Sequence, residues 1–260
     1  MEKRALITGA AARLGAAMAE GLAEGGFDVA IHYAGSAAQA EDVAEKCRAY
    51  GTRISLHQAD FLDEAKVAPL VDEAVATLGG PIGVLINNAS IFEYDTIETA
   101  TRDSWDRHIE SNLRAPVVLS QAFARQVPKG AKDENGEPIA SGLIVNMIDQ
   151  RVRALTPEFT SYTIAKYGLW GFTQTAAQAL APDIRVNAIG PGPTLQGGRQ
   201  TAEAFARQRA ATISGRGAHP ADIVAALRYF LASPAITGQL LCVDGGQHLS
   251  WETPDVVGVE

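Results

Sequence analysis

The chain has 260 residues, 47% of them hydrophobic, with 22 Lys and Arg against 30 Asp and Glu and a formal net charge of −8. That is the size of one large α/β domain with ample material for a core, and its acidity argues against nucleic acid or an anionic membrane as the main partner, since both attract basic surfaces. Two cysteines, Cys47 and Cys242, stand in no CxxC arrangement, which excludes a disulfide framework or cysteine zinc site and leaves two apolar thiols.

Short β-rich runs alternate with Ala-rich helical stretches. RALIT (4–8) reads as a strand and Arg13 to Glu24 as a helix. DVAIHY (28–33) and Ser36 to Tyr50 repeat the pattern, as do RISLHQA (53–59) with Glu64 to Leu78. IGVLIN (82–87) is the fourth strand, followed by a long helix from about Arg102 to Gln126. The polar stretch 129–142 reads as a surface loop. SGLIVNMI (141–148) is the fifth strand, a helix covers about Glu158 to Leu180, and DIRVNAI (183–189) is the sixth strand. Helices over Arg199–Ala211 and Ala221–Leu231 precede the seventh, QLLCV (239–243). Nearly continuous apolar strands between helices predict a seven-stranded parallel sheet with helices on both faces, a Rossmann-like doubly wound α/β fold. No linker, repeat or low-complexity tract divides it, so 1–260 reads as a single domain. The opening MEKRALITGA lacks the layout of a secretory signal and no segment has bilayer-spanning length, so a soluble, cytoplasmic protein is expected.

In this fold ligands sit at the carboxyl ends of the strands. After the first strand comes TGAAARLG, Thr8 to Gly15. Gly9 permits the tight turn and Gly15 close helix packing, and the free N–H groups of the helix terminus suit a pyrophosphate. Arg13 replaces the middle glycine of the usual pattern. The second strand ends in HYAGS with no carboxylate between Asp28 and Glu41 to accept from a ribose 2′-OH. His32 and Ser36, with Arg13 nearby, offer donors for a 2′-phosphate instead, so NADPH is favoured over NADH, although His32 also reads as a strand-end core histidine. Asp60 follows the third strand, where it can meet the adenine amino group. NNAS, Asn87 to Ser90, follows the fourth: Ala89 allows close approach to a ribose, and Asn87 steadies the turn. Leu14, Tyr33, Phe61 and Asn88 complete the cofactor contacts expected along these strand ends.

On a helix, Tyr162 and Lys166, four apart, share one face. A free tyrosine titrates near about 10, too high for acid–base work at neutrality, and an adjacent ammonium favours the phenolate. TGAAARLG, Asn87-Asn88-Ala89, Asn112, Tyr162-x-x-x-Lys166 and the Pro191-Gly192 turn occur in that order over almost the whole chain. In this the sequence resembles the short-chain dehydrogenase/reductase family. The resemblance implies that Tyr162 donates the proton, that Lys166 binds the nicotinamide ribose and lowers the tyrosine pKa, that Asn112 holds a relay water, and that Pro191 and Gly192 wall the nicotinamide. It also implies a homotetramer built on the helices near 102–126 and 158–180. Their small residues, including Ala165, Gly168, Gly171, Ala176 and Ala177, permit close helix approach or serve the sheet face.

Four departures from the family pattern cluster: Arg13 for glycine, Ser90 after NNA, Phe92 two residues on, and Asp149 for the usual serine, thirteen residues before Tyr162. Together they resemble the pteridine reductase branch, including bacterial dihydromonapterin reductases. That resemblance implies a pterin stacked between the nicotinamide and Phe92, Ser90 and Arg13 touching pterin or cofactor phosphates, and Asp149 with Tyr162 delivering the proton. The chemistry agrees: a pterin presents ring nitrogens and an amino group, and a carboxyl both accepts and, when protonated, donates. Asp149 alternatively caps a helix or pairs with Arg151 or Arg153. The Gly- and Pro-rich segment from about 190 to 212 reads as a mobile cover, with Thr194 and Leu195 as contacts. Trp251 and His248 are expected to pack the C-terminal end. The expected activity is NADPH-dependent reduction of a dihydropterin such as dihydromonapterin, dihydrobiopterin or dihydrofolate. Reduction of a ketone, quinone or acyl thioester is the alternative, and a non-catalytic NADP-binding regulator a third possibility.

Overall fold

The computed structural model describes residues 1–252. Seven parallel strands, β1 (Arg4–Ile7), β2 (Asp28–Tyr33), β3 (Ile54–Gln58), β4 (Val84–Asn87), β7 (Gly142–Met147), β8 (Ile184–Pro191) and β9 (Leu240–Val243), lie in the order β3-β2-β1-β4-β7-β8-β9. The register is even, with Leu6 beside Ala30 and Leu85, and Asn87 beside Asn146. Side chains alternate across the sheet. One face, including Ile7, Ile31, Ile86 and Val145, packs on α1 (Arg13–Glu24), α2 (Ala37–Arg48) and α9 (Pro220–Ala232) through Met18, Leu22, Val43 and Phe230. The other, including Leu6, Leu85, Ile144 and Val186, meets α4 (Leu70–Leu78), α6 (Ala115–Gln126) and α7 (Thr160–Leu180) through Leu70, Leu119, Phe123 and Ala177.

Four expected elements differ in detail. The helix over 64–78 divides into α3 (Glu64–Val67) and α4 at Pro69, whose ring cannot continue the hydrogen-bond ladder. The helix over 102–126 comprises α5 (Arg102–Ile109), a π turn Glu110–Arg114 and α6. Pro116 has no N–H for the carbonyl of Asn112 four residues back, so the wider turn sits where the α ladder fails anyway. The loop 129–142 carries a two-stranded hairpin, β5 (Ala131–Lys132) with β6 (Pro138–Ile139). α8 (Ala202–Ala210) starts later than expected, at Thr201, whose hydroxyl accepts from Ala204 N–H. Among the described residues no helix is long and apolar enough to cross a membrane.

The strand order reverses at β1 and β4, which opens a crevice at their carboxyl ends. A buried polar ladder runs beneath it. Asn87 Nδ2 donates to Asn146 Oδ1 at 2.8 Å, and Asn146 Nδ2 donates to Thr173 Oγ1 of α7 at 2.9 Å. It fixes the two central strand ends to the helix that carries Tyr162.

Candidate active site

At the crevice Gly9 has φ +62°, and a Cβ there would lie 2.8 Å from the Cα of Ala89. Only glycine lets the β1–α1 turn and the β4 loop approach so closely. Gly15 is pressed the same way, its missing Cβ 2.3 Å from Gly9 O. The buried Thr8 hydroxyl accepts from the N–H groups of Asn88 and Ala89, both at 2.9 Å, and Asn88 Nδ2 donates to the carbonyls of Thr8 and Gly9. The Asn88 side chain therefore binds the two loops together. α1 has no side-chain cap and no acidic residue in its first turn, so the N–H groups at Arg13, Leu14 and Gly15 face the crevice ready for an anion.

His32 departs from expectation. Its Nδ1 accepts from Gly9 N–H at 3.0 Å and its Nε2 lies 2.9 Å from Ala59 O, which places the proton on Nε2. The ring stacks on buried Phe61 at 4.2 Å, and burial lowers its pKa to about 4. It is a neutral strut and offers no charge to a phosphate. Arg13 also points elsewhere: its guanidinium donates to the carbonyls of Leu195 and Gln196, tying the covering segment to the start of α1. Of the donors expected near Tyr33 at the end of β2, Ser36 remains, exposed at the start of α2 with its hydroxyl free of any capping bond. Asp60 is exposed and accepts from Leu62 N–H in its own turn.

The chemical centre lies at the ends of β7 and β8. Asp149 follows β7 and starts a 3₁₀ turn, Gln150–Val152. Its Oδ1 accepts from Arg151 N–H at 2.8 Å, and its Oδ2 accepts from the Tyr162 hydroxyl at 3.0 Å. Asp149 is thus both a cap and Tyr162's partner, whereas Arg153 turns away over Trp170. Burial raises the Asp149 carboxyl, opposed by the Arg151 amide and guanidinium. Tyr162 is buried, and burial together with the Asp149 charge pushes its phenol well above the usual range, while Arg151 and a hydrogen bond with Ser90 pull the other way. Lys166 donates to Met147 O at 2.8 Å with its ammonium 5.7 Å from the Tyr162 ring centroid, and burial lowers its pKa to about 8. Burial and the Asp149 charge set the direction in which the tyrosine is shifted.

Asn112, in the π turn, is fully buried and spends both ends of its amide on Ile91, accepting from its N–H and donating to its carbonyl, each at 2.8 Å. The side chain therefore positions the loop bearing Ser90 and Phe92. Phe92 meets the Tyr162 ring edge-on at 4.7 Å and stacks on Phe159 at 4.4 Å. Gly192 lies against Asp244, where a Cβ would come within 2.5 Å, and Pro191 ends β8 opposite Val243. Thr194 is buried, with its hydroxyl on Gly192 O. His248 is held by Asp244 at 2.7 Å, but Trp251 is exposed rather than packed. The rest of the C-terminal tail, 253–260, lies outside the described residues.

Sequence reasoning missed several of the residues that build this centre. Phe159, at φ +57°, precedes α7. Asp95, 60-odd residues upstream, caps that helix. Its carbonyl accepts from Phe159 N–H at 2.7 Å and its Oδ1 from Ser161 N–H at 3.1 Å, and the Ser161 and Ser104 hydroxyls donate to Oδ2. Buried His108 joins Ser161 Oγ at 2.7 Å and accepts from Glu93 N–H at 3.1 Å. Arg199 of the covering segment donates to Phe92 O at 2.9 Å. A long-range cap leaves no local spacing signal, so none of these was visible in the linear pattern.

A family model described as enoyl-(acyl carrier protein) reductase matches residues 9–248. The 3-oxoacyl-(acyl-carrier-protein) reductase FabG of Staphylococcus aureus is 30% identical over 96% of this chain and 99% of its own. Among solved structures, FolM alternative dihydrofolate reductase 1 from Brucella canis, complexed with NADP, is 43% identical with a TM-score of 0.90, covering 98% of this chain and 97% of that one. A short chain dehydrogenase from Burkholderia cenocepacia in complex with NADP is 32% identical with a TM-score of 0.84, over 95% and 98%. The chain belongs to the short-chain dehydrogenase/reductase family. It is an oxidoreductase of that family, and Tyr162 and Lys166 lie buried on α7 against the end of β7. The structure joins Asp149 directly to Tyr162.

Proposed function

We propose that this short-chain reductase uses NADPH to reduce a C=N bond of a dihydropterin, giving the tetrahydro form. One observation carries the substrate class: the Asp149 carboxylate lies 3.0 Å from the Tyr162 hydroxyl, beside the flat face system of Phe92. A ketone oxygen needs only donors, whereas a pterin edge needs a partner that accepts from N–H and also releases a proton. The 43% identity to the Brucella FolM protein supports the reading.

The crevice fits a dinucleotide. Gly9 and Gly15 leave no room for side chains at the β1–α1 turn, the uncapped α1 terminus suits a pyrophosphate, and the end of β2 presents Ser36 and the α2 terminus with no carboxylate to repel a 2′-phosphate. When bound, NADPH supplies the hydride. The chain's residues do the rest: Lys166, fixed on Met147 O, would hold the cofactor ribose, and Phe92 would orient the flat substrate. Tyr162 O–H releases its proton to the substrate nitrogen as the carbon is reduced, and Asp149, when protonated, restores the phenol. A buried pair whose carboxyl and phenol are both raised resists holding a second negative charge, so Tyr162 gives up its proton when Asp149 is protonated and can replace it. A relay water would sit on the Asn112 carbonyl.

The similarity to FabG favours a second reading, reduction of a ketone or acyl thioester with Asp149 as a tolerated change. NADPH oxidation measured with dihydromonapterin, dihydrobiopterin and dihydrofolate decides between them, alongside an acetoacetyl thioester. Turnover of at least one pterin is expected; oxidation with the thioester alone would sink the pterin assignment. We also propose a homotetramer, supported by the outward stripe of α7 bearing exposed Ile164 and Tyr167 and the open Gly171.

A further inference from the structure

Phe92 and Phe159 stack with centroids 4.4 Å apart and planes 10° from parallel, and Tyr94 meets Phe159 edge-on at 5.1 Å. Phe92 and Tyr94 are about half exposed, so the three rings form a shelf leading from Tyr162 toward solvent. Two guanidiniums border it. Arg199 lies 5.5 Å from the Phe92 centroid and 5.6 Å from that of Phe159, which places it at the edge of the stack. Arg151 lies 5.1 Å from the Phe159 centroid.

Neither arginine has a carboxylate within ion-pair distance among the described residues. Arg199 spends one donor on Phe92 O. Arg151 donates to Thr156 Oγ1 and, at 3.5 Å, to Glu158 O, and its buried Nε has no acceptor. The nearby carboxylates are committed: Glu93 takes three hydrogen bonds from Arg107, and Asp149 holds Tyr162 and the Arg151 amide. Unpaired guanidiniums beside exposed flat rings recognise a carboxylate through forked hydrogen bonds and an aryl group by stacking.

We infer that Arg151 and Arg199, with the Phe92–Phe159–Tyr94 shelf, form a subsite for a substrate arm that carries an aryl ring and a carboxylate. The enzyme then prefers a dihydropterin with such an arm over one with a short neutral side chain. This inference rests on the pterin reading above. It also makes the covering segment, which brings Arg199, part of substrate selection.

The test compares kcat/KM for dihydrofolate, which has an aryl-linked glutamate, with that for dihydrobiopterin, whose side chain is neutral. The ratio is measured in the wild type, Arg199→Gln and Arg199→Lys, at low and high salt. Wild type favours dihydrofolate. Arg199→Gln lowers the ratio about tenfold or more, Arg199→Lys loses less, and added salt lowers it in the wild type. A role for Arg199 in loop closure alone would depress both substrates equally and leave the ratio unmoved, and that result overturns the subsite. Turnover of dihydrobiopterin with no preference for dihydrofolate overturns the subsite but keeps the pterin reading. Turnover of neither overturns the subsite, and removes the pterin reading too where dihydromonapterin is also left unreduced.

Discussion

Asp149 and Tyr162 share a hydrogen bond in a site where burial raises both groups, so their titration sets when the site works. In the proposed mechanism Tyr162 holds its proton tightly and has it restored after each transfer by the protonated Asp149 carboxyl. The rate of pterin reduction should therefore be greatest below the raised pKa of Asp149 and fall as pH climbs through it; a profile flat over the whole range in which the enzyme stays folded would contradict that role. His32 makes a separate, structural prediction. An unfolded histidine titrates near 6.5 and His32 near about 4, so the folded state binds fewer protons between these values. Its contribution is complete above pH 6.5 and lost as pH falls toward 4, on the order of 3 kcal/mol. The urea midpoint should drop over that window in the wild type and drop much less in His32→Gln. At this scale Tyr162, Lys166 and Asp149 were legible because their spacing has a chemical meaning. The neutrality of His32 was not, because it depends on Gly9 and Ala59 meeting its two nitrogens across separate strands.

Among the elements, α7 is the one on which the chemistry hangs, and its first turn is secured from outside. Phe159 at the helix start offers no cap, and Asp95 provides one through both its carbonyl and its carboxylate. Asp95→Ala should cost about 1–3 kcal/mol by leaving the Ser161 N–H and the Ser161 and Ser104 hydroxyls without their acceptor. It should also loosen Tyr162 against Phe92, so that kcat falls more than stability alone accounts for when assayed well below the melting temperature. An alanine variant with wild-type denaturation and kcat would remove the positioning role. Most strand and helix ranges were readable from apolar runs between helical stretches, because a buried parallel sheet requires them. The π turn at Glu110–Arg114 and the break at Pro69 were less so: proline announces a fault in the ladder without saying how the chain resolves it.

Across the whole molecule, the sheet order places every chemical group at one edge, with the nucleotide crevice at β1 and β4 and the carboxyl–phenol pair at β7. The small residues of α7 turn mostly inward: Ala165, Ala176 and Ala177 are buried and Gly168 rests against Leu113. Ile164, Tyr167 and Gly171 are left to face outward. If that stripe pairs subunits, light scattering of the wild type gives a mass near four chains, and Tyr167→Glu lowers it; a monomer at micromolar concentration contradicts the tetramer. Fold and reductase class follow from the molecule's overall pattern, but the substrate rests on Asp149. The most direct test is kcat/KM for a dihydropterin, measured against that for a ketone such as an acetoacetyl thioester, in the wild type and in Asp149→Ser. The carboxylate account predicts at least a roughly hundredfold loss of pterin turnover in the variant, with ketone turnover held or gained. Undiminished pterin reduction by Asp149→Ser would contradict it.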